Sequence, residues 1–298
     1  MKKSLLLCII AAIGFGVAPT FIQLAIQSGV SQTSCVLFNN ILLMLVCLVM
    51  CLAGHHSLCI PAKKVLPLLL MGACGMGFTV LLLSQLPVHR SGHRHRYQFF
   101  VSAHCYGSLC HFMHRRLGRS AYLAILLSIL GLLFISVIGT RVSSFQPAGF
   151  ILALASAFTY SFYIFGNEYF GIGEYPVWSA VFYMASASAC VFIVINAVTG
   201  QFTLPAGGAA MGYAFGAAVI TSLSFLLLNI GIAGAGAAQA SFATLIEPVA
   251  SVICGVIVLN EKVTLFTIIG IVLILLSVWV NSMHTHEKAP AREKAPAK

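Results

Sequence analysis

The sequence predicts an all-α polytopic membrane protein with ten transmembrane helices, the fourth degraded, in two inverted five-helix repeats. Three observations predict it. Hydrophobic residues make up 60% of the chain and charged residues only 7%, against about 25% charged in an ordinary soluble domain. Apolar runs close to the ~20 residues that cross a bilayer recur along the whole length. The two halves also match one another at a nearly constant offset. Asp is absent and the acids amount to six Glu, so most of the surface is built to face something other than water.

The spans follow in order at about 4–26, 33–54 and 65–86, then a fourth near 92–113. The fifth to tenth fall at about 121–138, 147–167, 177–198, 209–232, 237–259 and 264–281. Lys2 and Lys3 precede the first run, but no small-residue cleavage pattern follows, so it reads as a span and not a cleavable leader. Connections are short. Residues 283–298, rich in Lys, Glu, Ala and Pro, read as a solvated, disordered tail. The ten Cys are scattered without CxxC pairing and read as small packing residues.

Ten spans place both termini on one side. That side collects Lys2, Lys3, Lys63, Lys64, Arg119, Lys288, Arg292, Lys294 and Lys298, while the other, outside the abnormal stretch, has Arg141 and Lys262. The positive-inside rule then puts both termini in the cytoplasm, with the cell (inner) membrane as the expected location. Gly72, Ala73, Leu82 and Leu83 match Gly216, Ala217, Leu226 and Leu227 at an offset of 144, and Ile125 and Leu127 match Ile271 and Leu273 at 146. Five spans per half is an odd number, so the second repeat (147–282) is inverted relative to the first (4–139). Inverted repeats are a mark of transporters, with the substrate site near mid-membrane between the repeats.

Residues 89–116 break the pattern, with six of the ten His and five of the sixteen Lys and Arg. Three readings compete. It is a metal site built from His93, His95, His104, Cys105, Cys110 and His111; or a basic loop for nucleic acid or lipid; or text translated in the wrong frame. The genetic code favours the third. Taking the last two bases of each codon with the first of the next, the allowed choices from position 89 include Ile-Ala-Ala-Gly-Ile-Ala-Thr-Val-Ile-Asn-Phe-Leu-Tyr-Pro. Positions 104–112 become equally apolar. At the 146 offset the recovered proline falls opposite Pro248. The shifts lie near 85–88 and 114–117, and Arg90, Arg94, Arg96, Arg115 and Arg116 supply half of the formal charge of +10.

A Glu within a span normally faces a cavity or a partner. Glu247 lies in the ninth span beside Pro248, which removes a backbone donor and opens a polar notch. It reads either as a substrate-binding or protonatable group or as a Glu bonded to a neighbouring helix. Asn39 and Asn40 in the second span serve interhelical hydrogen bonds or a cavity wall. Gln23, Tyr160 and Tyr163 are further cavity candidates, Glu168 reads as solvated at the membrane edge, and Glu261 and Lys262 as loop residues. There is no Walker loop, nucleophile elbow or zincin pattern, and no enzyme, cofactor or metal is expected.

On these residues the chain resembles the EamA-type branch of the drug/metabolite transporter superfamily. The resemblance rests on 11–16 (AAIGFG) followed by Ala18 and Pro19, on 236–248 (GAAQASFATLIEP), and on 259–262 (LNEK) before the last span. It covers nearly the whole chain except 89–116. The family usually has Gly-Glu where this chain has Asn260 and Glu261, and often an Arg in the second span where this chain has Asn39 and Asn40. The resemblance implies ten spans in two repeats, and export or exchange of a small metabolite or drug-like solute through a central cavity, without ATP. The expected partners are that solute and the lipid bilayer, not nucleic acid, with a homodimer allowed. The alternatives are an inactive product of a frame-shifted gene and a membrane-embedded sensor or binding protein. Resequencing codons 84–118 is expected to restore an apolar fourth span; a nucleotide sequence that confirms the printed frame would reopen the metal and lipid-binding readings.

Overall fold

Inside hydrocarbon a backbone N–H or C=O has no water to bond, so a spanning segment must pair its own peptide groups, and helices do so. The computed structural model describes residues 2–54, 57–78, 119–134, 147–260 and 263–285, and among them there is no strand. The helices are α1 (Lys2–Gln27), α2 (Gln32–Ala53), α3 (Ala62–Met71), α4 (Arg119–Leu133) and α5 (Pro147–Tyr169). They continue with α6 (Val177–Thr199), α7 (Gly208–Ala235), α8 (Ala237–Ala243), α9 (Glu247–Leu259) and α10 (Leu265–Thr285). Among the described residues, Lys3–Gln27, Gln32–Ala53, Val177–Thr199, Gly208–Ala235 and Ala237–Leu259 are long and apolar enough to cross a membrane.

Where they fall on described residues, the ends agree with the expected spans to about a turn, with three differences; the expected ends at 86 and 138 and the fourth span lie outside them. The third span does not stay α-helical: at Gly72–Phe78 (GACGMGF) it widens to a π-helix, where three glycines weaken the α preference. The ninth is interrupted by a 3-10 turn at Thr244–Ile246. The tenth continues to Thr285, so the helix takes in the first residues of the stretch expected to be a tail. Residues 89–116, Arg141, Glu261, Lys262 and everything after 285 lie outside the described residues.

Lipid tails are as apolar as Leu, so burial alone does not hold such helices together. Close approach between small residues does. Four of the close pairs among the described helices run antiparallel, and each joins a helix before residue 134 to one after 147. Along α1 and α7, Ser4 faces Gly234, Cys8 faces Gly231, Gly14 faces Ser224 and Phe21 faces Gly216. Along α5, Gly75 of the π-helical segment lies against the Tyr163 side chain and Met71 of α3 lies against Gly166. Gly131 of α4 meets the Gly270 carbonyl of α10, with Ser128 and Ser277 hydroxyls bonded at 2.8 Å. Between α2 and α6 the Thr33 hydroxyl donates to Asn196 Oδ1 at 2.9 Å. The Cys8 thiol is fully buried in the α1–α7 seam, and all the described cysteines are free.

Both ends of the bundle are tied across the same division. At one end the Ser31 N–H donates to Thr203 Oγ1 at 2.6 Å and the Thr203 N–H to Ser34 Oγ at 2.9 Å. At the other, Ser179 Oγ donates to the Ser57 carbonyl at 2.9 Å, Tyr183 OH to the Leu58 carbonyl at 3.1 Å, and Lys64 Nζ to the Phe170 carbonyl. A methyl group at Gly72 would run into the Met184 backbone, which cannot rotate away, whereas one at Gly212 meets nothing within 4 Å. Gly72→Ala is therefore expected to lower stability by about 1–3 kcal/mol and Gly212→Ala to leave it level or raise it by up to about 1 kcal/mol. Thermal unfolding in detergent micelles checks both.

Candidate functional site

The break in the ninth span follows from one residue. Pro248 has no N–H to offer the Thr244 carbonyl, so the chain tightens and the Glu247 N–H takes that carbonyl instead. Helix α9 then restarts with Pro248 in its first turn, where proline is tolerated. Glu247 sits at this restart, 9% exposed, at the helix end that favours negative charge. The break lies directly on α1. A Cβ at Gly16 would come within 2.5 Å of the Glu247 carbonyl oxygen and 2.8 Å of the Ser251 nitrogen. The middle of α1, at Gly16, is thus the floor on which the interrupted helix rests.

The two adjacent asparagines of α2 part company. Asn40 Nδ2 turns back to the Val36 carbonyl of its own helix at 2.8 Å. Asn39 points toward α7, where its Nδ2 reaches Thr221 Oγ1 at 3.5 Å and its carbonyl accepts from Ser222 Oγ at 3.2 Å. Its Oδ1 is buried without a hydrogen-bond partner. Gln23 is half-buried on α1. Tyr160 is half-buried on α5 with its ring 6.0 Å from that of Tyr163, which is fully buried.

Sequence reasoning passed over Asn229. It stands in an apolar run of α7, the same signal that singled out Asn39. Asn229 Nδ2 donates to Tyr163 OH at 2.6 Å and to the Phe225 carbonyl at 2.8 Å, while its Oδ1 has no partner. Asn196 on α6 shows what a purely structural amide does here. Its oxygen accepts from Thr33 and Ser34 and its nitrogen donates to the Phe192 carbonyl at 2.8 Å. A buried acceptor left unpaired costs about 1–3 kcal/mol. Among the described residues, the unpaired oxygens of Asn39 and Asn229, with Thr20 Oγ1 and Ser188 Oγ, are therefore the buried side-chain polar atoms that packing alone does not account for.

Asn229 also lines a cavity of about 380 Å³ between the ends of α5 and α7, the turn Ile172–Glu174 and the start of α6. Its wall includes Asn167, Glu168, Glu174, Val181 and Ile232. Glu168 is not the freely solvated residue expected: it is half-buried, and its Oε2 accepts the Ala237 N–H at 3.0 Å, holding the start of α8 against the end of α5. Gly171 at φ +64 and Gly236 at φ +86 turn the backbone beside the two carboxylates, in a conformation that other residues rarely adopt.

Residues 147–283 match the EamA-like transporter family. No curated protein matches the chain. A solved structure described as "Crystal structure of protein" superposes with a TM-score of 0.79 at 16% identity, covering 97% of this chain and 100% of that one. That likeness is one of fold.

Proposed function

We propose, for an integral membrane protein whose residues 147–283 are an EamA-like transporter family domain, that the whole chain is a secondary transporter of a small metabolite or drug-like solute. The solute passes through a central cavity between two inverted five-helix repeats, with no cofactor and no catalytic step. The observation that carries this reading is the break at Glu247 and Pro248. A buried carboxylate at an interrupted span, set against a helix of the other half, is the construction that transporters use to hold substrate or coupling ion.

The helix pairings support the inverted repeat. Exchanging the halves sends α1 to α5, α2 to α6, α3 to α7 and α4 to α10. Under that exchange the pair α1–α7 becomes α5–α3, while α2–α6 and α4–α10 map onto themselves. These pairs thus have their counterparts, while the counterpart of the α1–α9 contact would involve the fourth span, outside the described residues. Asn39, with its unpaired oxygen, is the second cavity candidate, and Gln23 and Tyr160 follow it. Asn40 and Pro248 shape the helices that carry them. The frame-shifted reading of 89–116 belongs to the same proposal, because a ten-span plan needs an apolar fourth helix.

Glu247→Gln is expected to lower exchange of a panel of labelled amino acids, amines and sugars in proteoliposomes at least tenfold, and to flatten its pH dependence. Parental flux and pH profile in the Gln variant would leave Glu247 a structural residue. Both termini are assigned to the cytoplasm from the Lys and Arg asymmetry. A phosphatase that folds only outside the cytoplasm, fused after Lys298, is expected to be inactive, and an active fusion would reverse the topology.

A further inference from the structure

The π-helical stretch of the third span, Gly72–Phe78, has hydrogen bonds that run one residue longer than in an α-helix. Such segments are rare and are frequent at functional sites. This one is wedged between two helices. A Cβ at Gly72 would run into the Met184 carbonyl of α6, and one at Gly75 into Tyr163 Cβ of α5. Beside it lies a hydroxyl without an acceptor. Serines in these helices fold back on the carbonyl four residues earlier: Ser186 on Phe182 at 2.7 Å, Ser224 on Ile220 at 2.7 Å, Ser128 on Ala124 at 2.8 Å and Ser241 on Ala237 at 2.9 Å. Ser188, fully buried and two residues beyond Ser186, does not. Its Oγ has no hydrogen-bond partner among the described residues and faces the π-helical segment, 3.6 Å from where a Gly77 Cβ would stand. The acceptor it forgoes is the Met184 carbonyl, the one on which Gly72 rests.

We propose that Gly72–Phe78 is a two-state switch, π-helical in this structure and α-helical in its second state, with the Ser188 hydroxyl as the latch. Shortening each hydrogen bond by one residue turns the segment. Gly72 then lifts off the Met184 carbonyl, and Ser188 folds back on that oxygen as Ser186 does on Phe182. The π-helical state carries an unbonded buried donor that the second state satisfies. The second state in turn gives up the close seating of Gly72 and Gly75 on α6 and α5. The two costs oppose each other, and that balance keeps both states populated. Glycine at 72, 75 and 77 leaves the turn without the Cβ atoms that would obstruct its rotation. Tyr163 passes the change on, since its side chain lies against Gly75 and its hydroxyl accepts from Asn229 Nδ2 of α7. The switch does not depend on the transport reading.

The test is solid-state NMR of the full-length protein in lipid bilayers. The pairs Gly75–Met76 and Met184–Ala185 each occur once in the chain, so labelling the first residue type with carbonyl 13C and the second with 15N reports one peptide group at a time. The parent is expected to show two carbonyl signals at Gly75 and two at Met184, or one averaged signal at each where exchange is fast. Ser188→Ala removes the latch and so favours the π-helical state. It is expected to lower the weaker signal at least threefold at both carbonyls, or to move the averaged signals. Gly75 is the deciding site, because it faces Tyr163 and not α6. Ser186→Ala, whose lost hydroxyl is already bonded to Phe182, is expected to leave the Gly75 signals as in the parent. The proposal is overturned if the Gly75 signals are the same in the parent and in Ser188→Ala, or if Ser186→Ala changes them as much as Ser188→Ala does.

Discussion

The fold depends on helices from opposite halves of the chain approaching until their backbones nearly touch. Water drives apolar surfaces together in a soluble protein, but lipid offers no such drive, so packing contacts and a few hydrogen bonds have to suffice. Those contacts are strongest where side chains are smallest. The seam of Ser4, Cys8 and Gly14 against Gly234, Gly231 and Ser224 exists for that reason. So do Gly72 against the Met184 backbone and Gly131 against the Gly270 carbonyl. Each seam joins early sequence to late, and the halves interlock instead of packing as two separate bodies.

That constraint also positions the polar atoms. With α1 pressed on α7, Gly16 receives the interrupted helix at Glu247, and the break occurs where another helix already supports it. With α5 pressed on α3 by Gly75, Tyr163 is driven into the interior and its hydroxyl becomes the partner of Asn229. The amides that finish fully bonded, such as Asn196, lie where α2 and α6 meet near one end of the bundle. Those left with an idle oxygen, Asn39 and Asn229, both involve α7.

Much of the fold was legible in the sequence because span length and apolar composition are set by the bilayer, which acts on every residue alike. The boundaries of α2, α6 and α7 follow directly. The interruption at Pro248 was legible too, since a missing N–H is a property of one residue. What the sequence could not convey was direction around a helix. Asn39 and Asn40 are neighbours in a polar pair, yet about 100° of helical rotation sends one toward α7 and the other back onto its own backbone. Glu168 looked like an edge residue because its partner, the Ala237 N–H, belongs to a span far along the chain. Asn229 carried the same signal as Asn39, and only its unpaired oxygen and the adjoining cavity distinguish it from Asn196.

The interlocking of early and late helices also has a consequence in time. Ser4 and Cys8 find their partners at Gly234 and Gly231, so α1 must wait in the bilayer until α7 has been made. At about 5–20 residues per second, that wait is roughly 10–50 s. Meanwhile α1 presents a stripe of small and weakly polar atoms to lipid, and the same holds for α2 until α6 emerges. The newborn first half is therefore a set of inserted but unmated helices, exposed to any other membrane protein with a similar seam. A chain interrupted before α7 would keep that surface, and the cell's membrane proteases would meet it as an orphan.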